Sequence, residues 1–404
     1  MPTDIETQLK IFKQGTVDFI SESELALKLA KKRKLRIKYG ADPSTPDLHL
    51  GHTVPLRKLR QLQDLGHQIV FLIGDFTARI GDPSGRSQTR ETLSASRVRQ
   101  NARTYARQVF RILDRKRTEV RRNSEWFDEF RPEEFMNLAS RYTVARLLER
   151  DDFSKRFTAK QPITVLEFLY PLLQGYDSVA VRSDVEVGGT DQKFNLLVGR
   201  ELQRDWKQEP QVVMTLPLIE GTDGQEKMSK SLGNHIAIGA SPDEMFGRTM
   251  SIPDSLMIRY LHYVTDLDDS EVEKMERELE SGALHPREAK ARLAQELVRF
   301  YHGASKAKAA EERFNKLFRE KKLPDEIEEV VLSKSLLNNG SVDVVTLLKE
   351  AGLTASKSEA RRLIQHGGVK INESRAVSVD QRVSFEAPVV VQCGKRKFAR
   401  VRVS

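Results

Sequence analysis

Apolar residues recur at spacings of three and four in IETQLKIF and in SELALKLAKKRK, so residues 5–34 read as helical. The period then changes. Leu35 to Ala41 (LRIKYGA) reads as a short strand ending in small residues, and the loop DPSTPDLHLGH leads into a helix from about Leu50 to Leu65. Gln68 to Gly74 (QIVFLIG) is almost wholly apolar, the pattern of a strand in a parallel sheet covered on both faces. Further strands are expected at Glu119–Ser124, Val185–Gly188 and Gln211–Leu216, with helical sequence between them. Strands alternating with helices predict a doubly wound α/β domain with a parallel sheet.

The stretch from about 133 to 165 breaks this alternation with helical, charge-rich sequence and reads as an insertion between two halves of the sheet. From 241 to 322 the pattern is helical throughout, as in REAKARLAQELVRFYHG. A shift follows over 323–341. Residues 342–404 predict two short helices and then strands, with turns at His366-Gly-Gly368 and Asn372-Glu373. The expected organisation is a Rossmann-like α/β domain over 1–225 and a polar loop over 226–240. A helical domain over 241–322, a linker and a small α+β module at the end complete it.

Composition adds little until its distribution is considered. The chain has 404 residues, 39% of them hydrophobic, which is ordinary for a globular protein. No stretch approaches the ~18 uninterrupted apolar residues of a membrane-spanning helix. The polar start MPTDIETQLK lacks the order of a signal peptide, so a cytoplasmic location without membrane contact is expected. The single cysteine, Cys393, excludes an internal disulfide and a cysteine-rich zinc site, and no metal site of the protein's own is expected. Net charge is +9. Residues 342–404 hold twelve Lys/Arg against six Asp/Glu, so two-thirds of the excess lies in the terminal module. A compact basic module fits a polyanionic partner. The basic stretch Arg111 to Arg122 reads instead as a solvated helix end.

Two motifs carry candidate chemistry. His49-Leu50-Gly51-His52 follows a strand and opens a helix, whose unpaired N–H groups and dipole attract phosphate. Gly51 permits close approach of a flat base or ribose, and the imidazoles can donate hydrogen bonds to phosphate oxygens. Lys227-Met228-Ser229-Lys230-Ser231 lies in a polar loop, EGTDGQEKMSKSLGN, able to close over a triphosphate. Either motif alone is matched by a bland alternative, a helix-start histidine pair or a solvated basic turn. Both together, in this order around an α/β domain, are the signature of class I aminoacyl-tRNA synthetases, which the chain resembles.

Three further segments resemble bacterial tyrosyl-tRNA synthetases: Ile80 to Arg86 (IGDPSGR) continuing to Arg90, then Tyr170-x-x-x-Gln174-x-x-Asp177, and Gly188 to Gln192 (GGTDQ). Tyr170, Gln174 and Asp177 have helical spacing and share one face, offering a phenol, an amide and a carboxylate to a small zwitterion. The resemblance implies that Asp177 accepts the phenolic hydroxyl of L-tyrosine. Asp82, Tyr170 and Gln174 then hold its ammonium, and Gln192 lies near its carboxylate. Asp191 contacts the ribose and Asp42 lines the adenylate site. His49, Gly51, His52 and the loop 227–231 then bind ATP, with His49, His52, Lys227, Lys230 and Arg86 stabilising charge and Mg²⁺ on the phosphates. Many relatives carry Tyr four residues before the aspartate matching Asp42. Here that position is Lys38, with Tyr39 one place later.

The run LLKEAGLTASKSEARRLIQHGGVKINES resembles an RNA-binding fold first known in a small-subunit ribosomal protein. Lys357, Arg361, Arg362 and Lys370 are its candidate RNA contacts. The family resemblance implies transfer of tyrosine to tRNA(Tyr) and a homodimer formed through the insertion. Three other readings stand: a tryptophanyl-tRNA synthetase, a nucleotidylyltransferase, and a non-catalytic RNA-binding paralogue.

Overall fold

The computed structural model describes residues 4–31, 34–43, 45–83, 94–230, 232–319, 327–337, 340–372, 374–385, 387–394 and 397–403. It divides into two compact units, residues 1–311 and 312–404.

The first unit is built on a six-stranded sheet. Its strands are β1 (Asp18–Ile20), β2 (Arg36–Ala41), β3 (Gln68–Ile73), β4 (Thr118–Arg122), β5 (Val185–Gly189) and β6 (Val212–Leu216), in the spatial order β1-β6-β5-β2-β3-β4. All pairs are parallel except β1 with β6. Parallel strands buried on both faces need apolar side chains on both faces. Ile69 to Ile73 and Val212 to Met214 accordingly have 1% exposure or less. From β2 the chain runs outward to β3 and β4, then returns to the other side of β2 as β5. That reversal opens a crevice beyond the carboxyl ends of β2 and β5, where doubly wound sheets bind ligands.

Residues 5–34 are not one helical stretch. Helices Ile5–Lys13 and Glu22–Lys31 flank the short strand β1, whose Phe19 pairs with Met214 of β6. Gly15, at φ +71°, ends the first helix in a conformation disfavoured for any other residue. Three residues of strand are too few for alternation to register against two strongly periodic neighbours. Between β4 and β5 the insertion forms helices Pro132–Ala139, Val144–Leu147 and Asp151–Thr158, and after β6 the unit is helical from Pro242.

His67, at the turn before β3, is 1% exposed and lies against Phe12, with ring centroids 5.3 Å apart. Its Nδ1 accepts the Leu35 N–H at 3.3 Å, so the proton resides on Nε2, which has no partner among the described residues. Burial lowers its pKa from the usual 6.5 to about 4. The unfolded chain therefore binds a proton between those values that the folded chain refuses, and stability falls as pH drops from 6.5 towards 4. In His67→Gln the melting temperature is expected to lose part of that acid slope, as thermal unfolding at pH 7.5, 6, 5 and 4 would show.

The second unit has a five-stranded sheet and a two-stranded one. Its strands are β7 (Glu328–Leu332), β8 (Ser341–Asp343), β9 (Val369–Ile371), β10 (Ser374–Arg375), β11 (Arg382–Ser384), β12 (Val389–Cys393) and β13 (Lys397–Val403). The large sheet runs β10-β9-β12-β13-β7, and β8 pairs with β11. Helices Val344–Glu350 and Lys357–Gln365 contribute Leu347, Leu348 and Ala360 to a core shared with Val369, Val391 and Val401. Cys393 belongs to this core as a buried free thiol.

Candidate active site

Beyond the carboxyl ends of β2 and β5 lies a cleft of about 930 Å³. Its lining brings together His49, Gly51, His52, Asp42, Asp82, Tyr170, Gln174, Asp177, Asp191, Gln192, Lys227, Met228, Ser229 and Lys230, each singled out from the sequence. Arg86, Arg90 and Ser231 lie outside the described residues. Lys357, Arg361, Arg362 and Lys370 belong to the second unit, all exposed, the first three on helix Lys357–Gln365 and the fourth in β9.

Backbone positions the two phosphate-seeking motifs against each other. His49 caps the helix Leu50–Asp64 and exchanges ladder contacts with Ala237, just past the lysine loop. Leu50 N–H donates to Ile236 O at 2.9 Å, and Gly51 N–H points at Met228 Sδ at 3.4 Å. The rings of His49 and His52 stand 3.9 Å apart, with His235 6.2 Å from His49. Burial and these neighbouring histidines press the His49 pKa far below its usual value. Burial brings that of His52 to about 4. Both are neutral at pH 7, so they act as N–H donors without fixed charge.

The lysine loop is held from beneath by Asn234, 4% exposed. Its Oδ1 accepts Ser229 N–H at 2.7 Å and its Nδ2 donates to Asp223 Oδ2 at 2.8 Å. A Cβ on Gly221 would fall 2.2 Å from that carboxamide, so the turn needs glycine there. Above this support Lys227 Nζ meets Asp191 at 3.2 Å and Lys230 Nζ meets Asp47 at 2.9 Å. Each lysine thus has a carboxylate to leave when a more highly charged anion enters.

The other half of the cleft is set by the helix Val165–Val181. Thr164 and Glu167 cap it reciprocally, and Arg156 Nη1 clamps Glu167 at 2.6 Å. The cap fixes where Tyr170, Gln174 and Asp177 project. Tyr170 donates its phenol proton to Asp42 Oδ2 at 2.8 Å, leaving its oxygen lone pairs as acceptors for an ammonium. Asp42 also accepts from Thr77 Oγ1 at 2.7 Å. A Cβ on Gly74 would sit 2.0 Å from Asp42 Oδ1, which makes glycine a condition of this arrangement. Gln192 Nε2 donates to Asp82 at 2.9 Å, Asn195 bridges Gln192 and Gln174, and Arg150 stands behind at 3.5 Å from Asp82.

At the closed end, Asp177 is 3% exposed and accepts from Trp126 Nε1 at 3.1 Å and Asn123 Nδ2 at 3.4 Å. Burial pushes its pKa up to about 8, while Lys38 and these donors pull it back. A carboxyl so reluctant to ionise suits a neutral hydroxyl better than a charged group. Lys38 and Tyr39 point to opposite faces of β2, as alternation requires. Lys38 is fully buried and its Nζ is saturated by Glu186 at 2.8 Å, Ser178 Oγ at 2.8 Å and Gln174 O at 3.1 Å. Three donors with three acceptors leave nothing for a ligand hydroxyl. Tyr39 packs on Phe71, centroids 6.1 Å apart, and lines the cleft without a hydrogen bond to Asp177 among those described. Trp126 and Asn123 are the donors that hold the Asp177 carboxyl.

Asn123, Trp126, Asn195, Arg150, Asp47 and Asn234 were not singled out from the sequence. Asn123 was within reach of a positional rule, since it directly follows a parallel strand whose carboxyl end faces the cleft.

The family described as tRNA synthetases class I (W and Y) matches residues 30–319, and the S4 domain matches residues 344–389. The tyrosine–tRNA ligase of Thermotoga maritima is 54% identical over 396 residues, covering 98% of this chain and 97% of that one. That of Geobacter sulfurreducens is 52% identical over 401 residues, covering 98% and 99%. Among solved structures, the tyrosyl-tRNA synthetase of Archaeoglobus fulgidus complexed with L-tyrosine has a TM-score of 0.63 at 23% identity. It covers 76% of this chain and 100% of that one, a likeness of fold. With identity above one half along nearly the whole of both chains, the chain belongs to the tyrosine–tRNA ligases, within the class I synthetases for tryptophan and tyrosine.

Proposed function

We propose that the cleft performs the ligase reaction with the residues described above in distinct roles. ATP lies along the helix start at His49 to His52, its ribose toward Asp191 and its phosphates toward Lys227 and Lys230. Tyrosine lies along the helix Val165–Val181, its hydroxyl on Asp177 and its ammonium among Tyr170, Gln174 and Asp82. Gln192 stands beside its carboxylate. The carboxylate attacks the α-phosphorus, the bond to pyrophosphate breaks, and tyrosyl-adenylate remains. A terminal hydroxyl of tRNA(Tyr) then attacks the tyrosyl carbonyl and AMP leaves. The protein positions the reactants and stabilises charge, and forms no covalent bond itself. Arg86, by family resemblance, adds a cation to the phosphate side. The observation that carries this reading is the single cleft shared by the phosphate-seeking motifs and the Tyr170–Asp177 face.

Mg²⁺ would ride on the triphosphate and offset its charge. No group of three or more His, Cys, Asp or Glu placed to hold a metal occurs among the described residues, and an ion held mainly by phosphates needs none. Exposed apolar side chains on and just after the insertion, including Met136 at 71% and Val165 at 77%, support pairing with a second copy there. The domain roles follow: catalysis in 1–225 with the loop 226–240, and tRNA reading by 241–322 and 342–404 through Lys357, Arg361, Arg362 and Lys370. No helix among the described residues is long and apolar enough to cross a membrane, and we place the protein in the cytoplasm. Charging assays with tRNA(Tyr) and [¹⁴C]tyrosine test the reading. Acid-precipitable, alkali-labile tyrosine that appears only with intact 3′ ends is expected, and adenylate formation without transfer would contradict the second step.

A further inference from the structure

We infer that the exposed face of the helix Ala95–Val109 is a docking ridge for the phosphate backbone of the tRNA substrate, a proposal that rests on the ligase reading. The helix holds Arg97, Arg99, Arg103 and Arg107 and no acidic residue. Val98, Ala102, Tyr105 and Val109 form its buried stripe. Arg99, Arg103 and Arg107 repeat every four residues on another side, and all three are exposed. The helix rise places successive guanidinium stems about 6 Å apart.

A solvated helix face is the bland alternative, and the rest of the unit shows what such faces look like here. Arg60 pairs with Asp64, Lys155 with Asp151 and Arg248 with Glu244, each four residues apart on one helix. Among the described residues none of the three ridge guanidiniums has an ion-pair or hydrogen-bond partner. In the basic stretch that follows, three cations are already engaged: Arg111 binds Ile238 O at 2.9 Å, Arg117 binds Gln63 O at 3.2 Å, and Arg121 binds Glu119 and Glu125. Uncompensated cations in a regular row repel one another and are relieved by a polyanion.

The same helix is also part of the cleft wall. Tyr105 lines the cleft, Asn101 Nδ2 donates to Pro43 O at 2.8 Å and Gln108 Nε2 donates to Pro46 O at 3.0 Å. Those bonds hold the loop that delivers His49. A nucleic acid lying along the ridge is therefore carried on the element that borders the reaction site, as a 3′ end that must enter the cleft requires. Three phosphate contacts also place the partner without reading its bases.

The test uses the full-length chain with Arg99, Arg103 and Arg107 all changed to Glu, beside a version with all three changed to Lys. In the Glu variant the KM for tRNA(Tyr) is expected to rise at least about tenfold, with tyrosine-dependent ATP–pyrophosphate exchange within about twofold of the unaltered protein. The slope of log affinity against log salt should shrink by about two to three, one contact each. The Lys variant should keep most of the tRNA affinity. Unchanged KM and salt slope with intact exchange would overturn the ridge, as would exchange falling in step with charging, which marks a structural role. An unaltered protein that exchanges but never charges tRNA would instead sink the ligase reading, and the ridge with it.

Discussion

In the Lys230→Ala protein, adenylate formation is expected to fall by about two to three orders of magnitude while tyrosine affinity stays within about twofold. Lys230 lines the cleft, and in the proposed arrangement it faces the phosphates while the ring hydroxyl rests on Asp177, so ground-state tyrosine binding should gain nothing from it. Its ammonium rests on Asp47, and its value to the reaction is the charge it meets as pyrophosphate separates. Equilibrium dialysis with tyrosine and single-turnover pyrophosphate release separate the two quantities. Equal losses in both would mean that Lys230 shapes the cleft and does not act on developing charge. Asp47→Asn removes the resting partner and should lower the KM for ATP, a change opposite in sign.

The second large effect is expected at Asp177. Asp177→Asn keeps the size of the side chain but replaces one acceptor oxygen with a donor NH₂, opposite Trp126 and Asn123, which both donate. Two donors then face a third, and the substrate hydroxyl loses its acceptor. Breaking a hydrogen bond to a charged or buried group costs about 1.5–3 kcal/mol, so kcat/KM for tyrosine should drop about 10- to 150-fold. Phenylalanine, which makes no such bond, should change far less, and the tyrosine-to-phenylalanine ratio should narrow. A uniform loss for both substrates would point to general collapse of the pocket.

The sheet was legible because its central strands have no alternative. QIVFLI is apolar at nearly every position and β6 (VVMTL) is buried throughout, because helices cover both faces, while β2 and β5 keep the pattern only around the charged Lys38 and Glu186. The cleft was legible where function is written in contiguous motifs, His49 to His52 and Lys227 to Lys230, or on one helix face, Tyr170 to Asp177. It was not legible where residues act by support. Asn123 and Trp126 sit 54 and 51 positions from Asp177, and nothing local marks them as its donors. Lys38 looked like a departure from its relatives, and only the burial of Glu186 and Ser178 beside it explains a charged residue in the middle of a core strand. Arg99, Arg103 and Arg107 passed unnoticed because their significance lies in the absence of acids around them, a property of the folded surface.

The measurement closest to the centre of this account is ATP–pyrophosphate exchange without tRNA, with tyrosine, tryptophan and phenylalanine each supplied alone. Exchange driven by tyrosine and not by the other two is the predicted result, because Asp177, Trp126 and Asn123 together build one hydroxyl-accepting end. Exchange driven equally well by phenylalanine or by tryptophan would contradict it, leaving the fold and the phosphate site in place but removing Asp177 from the selection of substrate.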